Sequence, residues 1–410
     1  MKLIPVENDS IRVGSPLPFS IRLENGSIIL TKGHLIERRA FLDSLLKQYG
    51  KLFVDLDESE SHHRAYMGKL HSMVRQDKEL GQIAESSLAP LEFSSLRNRD
   101  LPNTANWLDL QDQAHLVLRD SRSAEFLPRL EKLKTELYRQ IKLNPDSTLF
   151  ALIHLATTEV KRYSATHAML VSAVCTLAAQ DVLKWGSDQI DNLLNVALTM
   201  NIGMTELHDH LASQIEAPNA EQNRAIETHA TRSHDILLSL GVSDPVWLEA
   251  VLEHRATSPG TLATRTHADR LARLIQRADM FSARLSPRAS RRPESPAAAM
   301  QACYFDENRK TDEAGAALIK AVGIYSPGTF VKLASNEIAI VVRRGLNTTM
   351  PKVAVLINRQ GMLTGEPILR ETSQTDFRIV GSVPNREVKV NHNFDRLLLL
   401  TKQTANDRPW

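Results

Sequence analysis

Cysteine is scarce: Cys175 and Cys303 are the whole complement and neither belongs to a CxxC pair, which excludes a disulfide framework and a cysteine-built zinc finger. Long apolar runs are also missing. The longest candidates, around Leu193–Met200 and Leu397–Leu400, fall far short of the roughly 20 residues that span a membrane. Neither sign of charge dominates. Fifty basic residues stand against 48 acidic ones, a net charge of +2, so composition points to no nucleic-acid partner and no anionic membrane surface. The first residues, Met1 to Asp9, carry no apolar stretch of the signal-peptide kind. The expectation is a cytoplasmic protein without a membrane span. What is present is ample: 410 residues, 42% hydrophobic and 24% charged, enough for a sizeable core and for two or three domains by length.

Residues 1–56 read as a small β-rich module. Ile11–Val13, Phe19–Leu23 and Ser27–Leu30 are short apolar or alternating runs, set off by Gly14, Pro16, Pro18 and the hairpin-type pair Asn25-Gly26. A helical pattern follows over Leu35–Tyr49. Residues 57–105 are charged and rich in Ser, Asn and Pro, and read as a linker with a short helix near 64–84. From Trp107 the spacing predicts helices over 127–143, 147–160, 164–184, 188–200, 219–240, 244–256 and 264–284. Asp244-Pro245 is the clearest start signal, a capping carboxylate before a proline in the first turn. Beyond Gly323 the period falls to two, and Phe330–Leu333, Glu337–Arg343, Lys352–Ile357, Phe377–Ile379 and Val388–Val390 read as strands. The expected fold class is mainly α: a helical domain over 106–322, with small β-rich modules at 1–56 and 323–410.

Three of the 14 histidines share a phase with apolar neighbours. His167 lies three and seven residues before Leu170 and Val174. His229 is three after Ile226 and seven before Ile236, and His254 is three after Val251 and seven after Trp247. Asp279 borders the stripe of Leu271, Leu274, Ala278 and Phe281. Imidazoles and a carboxylate on the inner faces of successive helices can converge on one cation. The same set can form a neutral hydrogen-bonded network in a core, and the spacing matches no short ligand motif. Other features carry less. His208-Asp209-His210 and His234-Asp235 read as solvated surface, as do His62, His63 and His71. The basic loop Arg284–Arg292 reads as solvated, with guanidinium groups that could meet phosphates. Cys303 has no basic partner in the sequence and reads as unreactive.

Tyr163-Ser-Ala-Thr-His167, Ala197-Leu-Thr-Met-Asn-Ile-Gly203, His229, Glu253-His254 and Ala278-Asp-Met-Phe-Ser-Ala283 stand in the order of the metal-binding motifs of HD-GYP proteins. The chain resembles that family over about residues 150–322. Arg288 falls where the family often has an arginine, and Gly323 to Val342 resembles a β extension that follows many such domains. The resemblance implies an HD-like helical bundle. Active members are di-metal phosphodiesterases that hydrolyse the bacterial second messenger cyclic di-GMP. It also implies His167, His229, His254 and Asp279 as metal ligands, with Glu253 as a substitute ligand, and Arg255 and Arg288 as groups for the ligand's phosphates.

The departures weigh against catalysis. Met200-Asn201 replace the family's His-Asp pair, Met204 replaces the lysine that follows Ile-Gly, and Thr257-Ser-Pro-Gly-Thr stands in place of the Gly-Tyr-Pro signature. Two cations about 3.5–4 Å apart need a bridging anionic oxygen, and asparagine offers a neutral carbonyl. The resemblance therefore implies no catalytic residues, no cofactor, or iron or manganese if a metal is kept. The expected role is regulatory: a non-catalytic sensor of cyclic di-GMP or a related nucleotide, or a scaffold for a signalling protein partner. A metal-dependent phosphohydrolase with a remodelled site is the alternative, and a pure interaction protein the third reading.

Overall fold

Asp244 accepts hydrogen bonds from the backbone N–H groups of Val246 and Trp247 at 2.8 and 3.3 Å, and Pro245 takes the first helical position. The same device recurs where the polar residue before an apolar stripe can reach back to the first turn. Thr266 caps Asp269 at 3.1 Å and Asp312 caps Gly315 at 2.9 Å. The computed structural model describes residues 106–388 except 258 and 346, residues 394–402, and, ahead of them, 3–5, 17, 20–23, 28–30, 34, 45 and 51–55.

The chain divides into two units, Met1–Thr104 and Ala105–Trp410. In the first, β1 (Leu3–Pro5), β2 (Ile21–Arg22), β3 (Ile28–Leu30) and β4 (Phe53–Asp55) form an antiparallel sheet in the order β1-β4-β2-β3. Ile21 and Leu30, paired across β2 and β3, are both buried. The predicted strand at 11–13, the Asn25-Gly26 turn and the linker histidines lie outside the described residues, as does the predicted helix over 35–49 apart from Leu45.

The second unit is mainly α, with a β-sheet at its C-terminal end. Its helices are α1 (Trp107–Arg119), α2 (Phe126–Leu143), α3 (Pro145–Thr158), α4 (Tyr163–Leu177), α5 (Ser187–Thr199), α6 (Thr205–Ser213), α7 (Ala220–Glu227), α8 (His229–Ser239), α9 (Pro245–Glu253), α10 (His267–Leu285), α11 (Pro296–Tyr304) and α12 (Glu313–Val322), with α13 (Phe394–Leu400) near the end of the chain. Every residue of α4 is buried, so this helix is the axis about which the others pack. Among the described residues no helix is long and apolar enough to cross a membrane.

Two predicted helices come out differently. The helix expected over 219–240 breaks at Thr228 into α7 and α8. At this break His229 Nδ1 donates to the Ile226 carbonyl at 2.5 Å, and Arg255 Nη1 reaches the same oxygen at 3.3 Å. The helix expected over 164–184 ends at Leu177 and runs on as a π-turn over Ala178–Val182.

Strands β5 (Phe330–Leu333), β6 (Ile338–Arg343), β7 (Lys352–Ile357), β8 (Leu363–Glu371) and β9 (Ile379–Val383) form an antiparallel sheet in the order β8-β7-β6-β5-β9. The period of two sorts its side chains. Phe330, Ile340, Val342, Ala354 and Leu356 face the helical core, while Val331, Leu333, Ala339, Val341, Val353 and Val355 build a second core on the opposite face. The expected strand over Phe377–Ile379 is instead a 3-10 turn over Thr375–Phe377, and the strand begins at Ile379. Arg370 lies over the Phe377 ring, 4.5 Å from its centroid. Val388 lies outside any strand, and residues 389 and 390 are outside the described ones.

The sheet and α13 are fastened to α3. Arg344 Nε donates to Asp146 at 2.7 Å, Asn385 to Thr157 at 2.7 Å, and the Phe394 ring packs 4.8 Å from that of His154. Ser147 and Thr401 share a hydrogen bond.

Candidate functional site

Helix α4 carries Tyr163 and His167, α6 carries His208, α8 opens with His229, His254 follows directly on α9, and α10 supplies Asp279 and Ser282. His167 is buried, with Asp279 Oδ1 2.7 Å from its Nε2 and Ser282 Oγ 2.9 Å from its Nδ1. A carboxylate can only accept, so the ring donates from Nε2, and in the neutral imidazole the serine hydroxyl donates to Nδ1. Burial pulls the Asp279 carboxyl upward, but the hydrogen bond from His167 and the imidazoles of His254 and His208 outweigh it and hold the group well below the usual carboxylate range.

His229 and His254 face one another with their Nε2 atoms 3.1 Å apart. The outer nitrogens are committed: His229 Nδ1 donates to the Ile226 carbonyl at 2.5 Å and His254 Nδ1 to the Val251 carbonyl at 2.7 Å. In neutral rings both inner nitrogens are then bare lone pairs. Burial, with the neighbouring His254, lowers His229 to about 4, and burial lowers His254 in the same direction. The two rings stay uncharged at neutral pH, and a proton or cation between them would relieve the facing lone pairs.

A stability prediction follows from the sign of that shift. Between the ordinary value of 6.5 and about 4, the unfolded chain binds the proton that the folded His229 refuses, so folding weakens as pH falls through this window. Above 6.5 the contribution is complete. Urea midpoints of chelator-treated protein drop between pH 7 and pH 4.5, and His229→Gln flattens that slope.

The remaining expected residues are placed as follows. Met200 is buried at the end of α5, and its carbonyl accepts from Ser233 Oγ at 2.9 Å. Asn201 is half-buried in the turn before a 3-10 segment, Ile202–Met204. The backbone there presses on α8: a Cβ at Gly203 would lie 2.6 Å from the His229 carbonyl and 2.8 Å from the Ser233 nitrogen, so only glycine fits. Glu253 is half-buried in the last turn of α9. Arg255 is exposed and donates to the Ile226 carbonyl at 3.3 Å. Arg288 donates to the Tyr163 hydroxyl at 2.8 Å, with its guanidinium 4.9 Å from that ring's centroid.

No protein family and no curated protein matches the chain. It is similar to one solved structure, "Bd1817, a HDG"Y"P protein from Bdellovibrio bacteriovorus". The two are 14% identical, with 77% of this chain and 98% of that one covered, at a TM-score of 0.41.

The donor set can be tested against the metals that the family resemblance implies. His229 and His254 present two imidazole nitrogens on tautomers fixed by backbone carbonyls, as metal-binding histidines do. A second cation needs a bridging carboxylate, yet residue 201 is an asparagine and Asp279 is engaged by His167. Among the described residues no group of three or more His, Cys, Asp or Glu side chains is arranged to hold a metal ion. The residues do not fit a dinuclear centre.

Sequence reasoning missed His208. Expected on the surface, it is buried, with its ring centroid 5.1 Å from that of His167 and 4.7 Å from that of Tyr163. Burial, with His167 and Arg288 nearby, drives it well below 6.5. Its neighbour Asp209 accepts from the Ser164 backbone N–H at 2.8 Å. The signal was available, because His208 precedes the buried Leu211 by three positions and Ala212 by four. His234 lies 3.2 Å from Asp235, half-exposed. Both cysteines are buried, and burial pushes the Cys303 thiol up to about 12.

Proposed function

We propose that the chain is a degenerate HD-GYP-like regulator in cyclic di-GMP signalling, one that binds a nucleotide without hydrolysing it. The observation that carries this reading is the donor set. His229 and His254 face each other, Asp279 is engaged by His167, and asparagine stands where a bridging carboxylate would be needed. Without that carboxylate there is no pair of cations to lower the pKa of an attacking water. Met204, in place of a lysine, removes a cation from the phosphate as well. Beside the Ile202–Met204 segment lies a groove of about 570 Å³, whose lining mixes Arg119, Arg122 and Arg232 with Asp120, Glu206 and Glu221, a polar wall of both charge signs.

The test combines metal analysis with two assays on protein incubated anaerobically with iron and manganese. The expected result is fewer than two metals per chain, no cyclic di-GMP turnover, and saturable cyclic di-GMP binding. Turnover with two metals overturns the reading. Absence of both binding and turnover also overturns it and leaves a protein scaffold. The facing Nε2 atoms of His229 and His254 favour a second reading, in which one iron or manganese ion is kept and the site is a remodelled phosphohydrolase. There, His254→Ala would abolish both metal and activity.

A further inference from the structure

Helix α1 is the first element of the second unit, beginning three residues after Thr104. Its inner face buries Trp107, Leu110, Ala114, Val117 and Leu118. Three bonded polar contacts and one longer approach also leave it, and all go to the stretch at the start of α4 or to α6. Gln111 Nε2 donates to Thr166 at 2.7 Å. Asp112 pairs with Arg162 at 2.7 Å. His115 Nδ1 lies 3.7 Å from Asp209 Oδ2, and Arg119 donates to Glu206 at 3.1 Å.

The destinations are not random. Arg162 directly precedes Tyr163, Thr166 directly precedes His167, and Asp209 directly follows His208. Three of the four therefore end one residue from a ring of the buried cluster, and those three rings touch one another. Arg162 also sits in the left-handed region at φ 57° and ψ 32°, a conformation that a non-glycine residue keeps only when its surroundings hold it there.

The seam itself is under-satisfied. Gln111 Oε1, His115 Nδ1, Ser164 Oγ, His208 Nδ1 and Asp209 Oδ2 are buried atoms without a hydrogen-bond partner among the described residues. Packed apolar faces hold one arrangement tightly, whereas a polar seam with spare donors and acceptors can re-pair after a small shift. We propose that α1 is a strap that positions Tyr163, His167 and His208, so that a displacement of α1 is transmitted to this ring cluster through Arg162 and Thr166 at the start of α4 and through Glu206 on α6. The contacts that carry this coupling exist whatever ligand the protein takes, so the proposal stands apart from the cyclic di-GMP reading.

The test uses the full chain with Gln111→Leu and Asp112→Asn, singly and together. Asp112 is nearly half exposed (46% of its side chain), so its substitution leaves the core intact and serves if Gln111→Leu fails to fold. Hydrogen exchange is followed in peptides covering 163–170, 205–211 and 275–285, together with the ring NMR signals of His167 and His208. The expected result is at least tenfold faster exchange over 163–170 and 205–211, shifted signals for both rings, and unchanged exchange over 275–285. Unchanged exchange at the first two segments, or an equal rise in all three, overturns the proposal.

Discussion

Asp312→Ala destabilises the second unit by about 3–5 kcal/mol, the loss expected when one partner of a buried ionic cluster is removed. Arg273 and Arg277 both leave α10 with side chains only 2% exposed, and Asp312 is equally buried. Arg273 donates to Asp312 through Nε at 2.9 Å and through Nη2 at 2.5 Å, and to Glu307 through Nη1 and Nη2 at 3.0 Å; Arg277 donates to Glu307 at 2.7 Å and to the Phe305 carbonyl at 3.1 Å. Asp312 has a second task, since its other oxygen caps Gly315 at the start of α12. Alanine leaves two buried guanidinium groups sharing a single carboxylate, that of Glu307, and also removes a cap worth about 1 kcal/mol. The hydrogen bond from Arg273 is the chief cause holding Glu307 at about 2, so this part of the cluster weakens only as pH falls from the ordinary 4.5 toward that value. Urea unfolding of the full chain at pH 7 measures the effect. A shift below about 1 kcal/mol would show that the cluster does not clamp α10 to α12.

Gly315→Ala, three residues further on, destabilises by about 3 kcal/mol, at the upper end of what overpacking a well-filled core usually does. A Cβ there would lie 1.9 Å from the Cys303 carbonyl oxygen and 2.8 Å from its carbon. Both are backbone atoms at the end of α11, so no side chain can swing aside, and α11 and α12 must separate. The two substitutions share the α11–α12 junction and are therefore not additive. The double variant loses less than the sum of the single ones, because a junction already opened leaves room for the methyl group. A full sum would mean that the two defects act independently.

Much of the helical centre was legible because its signals are local. Asp244-Pro245 marks a start that the structure keeps, and the inward phase of His167, His229 and His254 puts all three in the core. The missed features share another character. The break at Thr228 has no glycine or proline; what marks it is the side chains of His229 and Arg255 reaching the Ile226 carbonyl from later in the chain. Strand β8 lacks alternation, being an edge strand with Leu363, Ile368 and Leu369 exposed, and its Gly365 and Pro367 read as loop residues. Helix α13 was visible in sequence only as the short apolar run at Leu397–Leu400. In the site, residue type suggested convergence on a cation, but it could not reveal how the rings pair: His167 with Asp279 and Ser282, His229 with His254. Those pairings depend on helix crossings that periodicity does not encode. His208 reads as surface in the sequence because it lies beyond the Asn201-Ile-Gly203 helix end that the family uses, although its spacing to Leu211 is that of a buried position.

The attachment of α13 to α3 bears on the order in which the molecule can be assembled. Ser147 and Thr401 meet across 254 positions of sequence, and Phe394 packs on Phe150 and His154 of the third helix. During synthesis, α3 emerges long before the segment that covers it, and its Phe150 face stays bare throughout that interval. Closing so long a loop is a late and slow event. A ribosome stalled between residues 322 and 394 would therefore hold a helical centre with an open flank, a natural binding surface for chaperones.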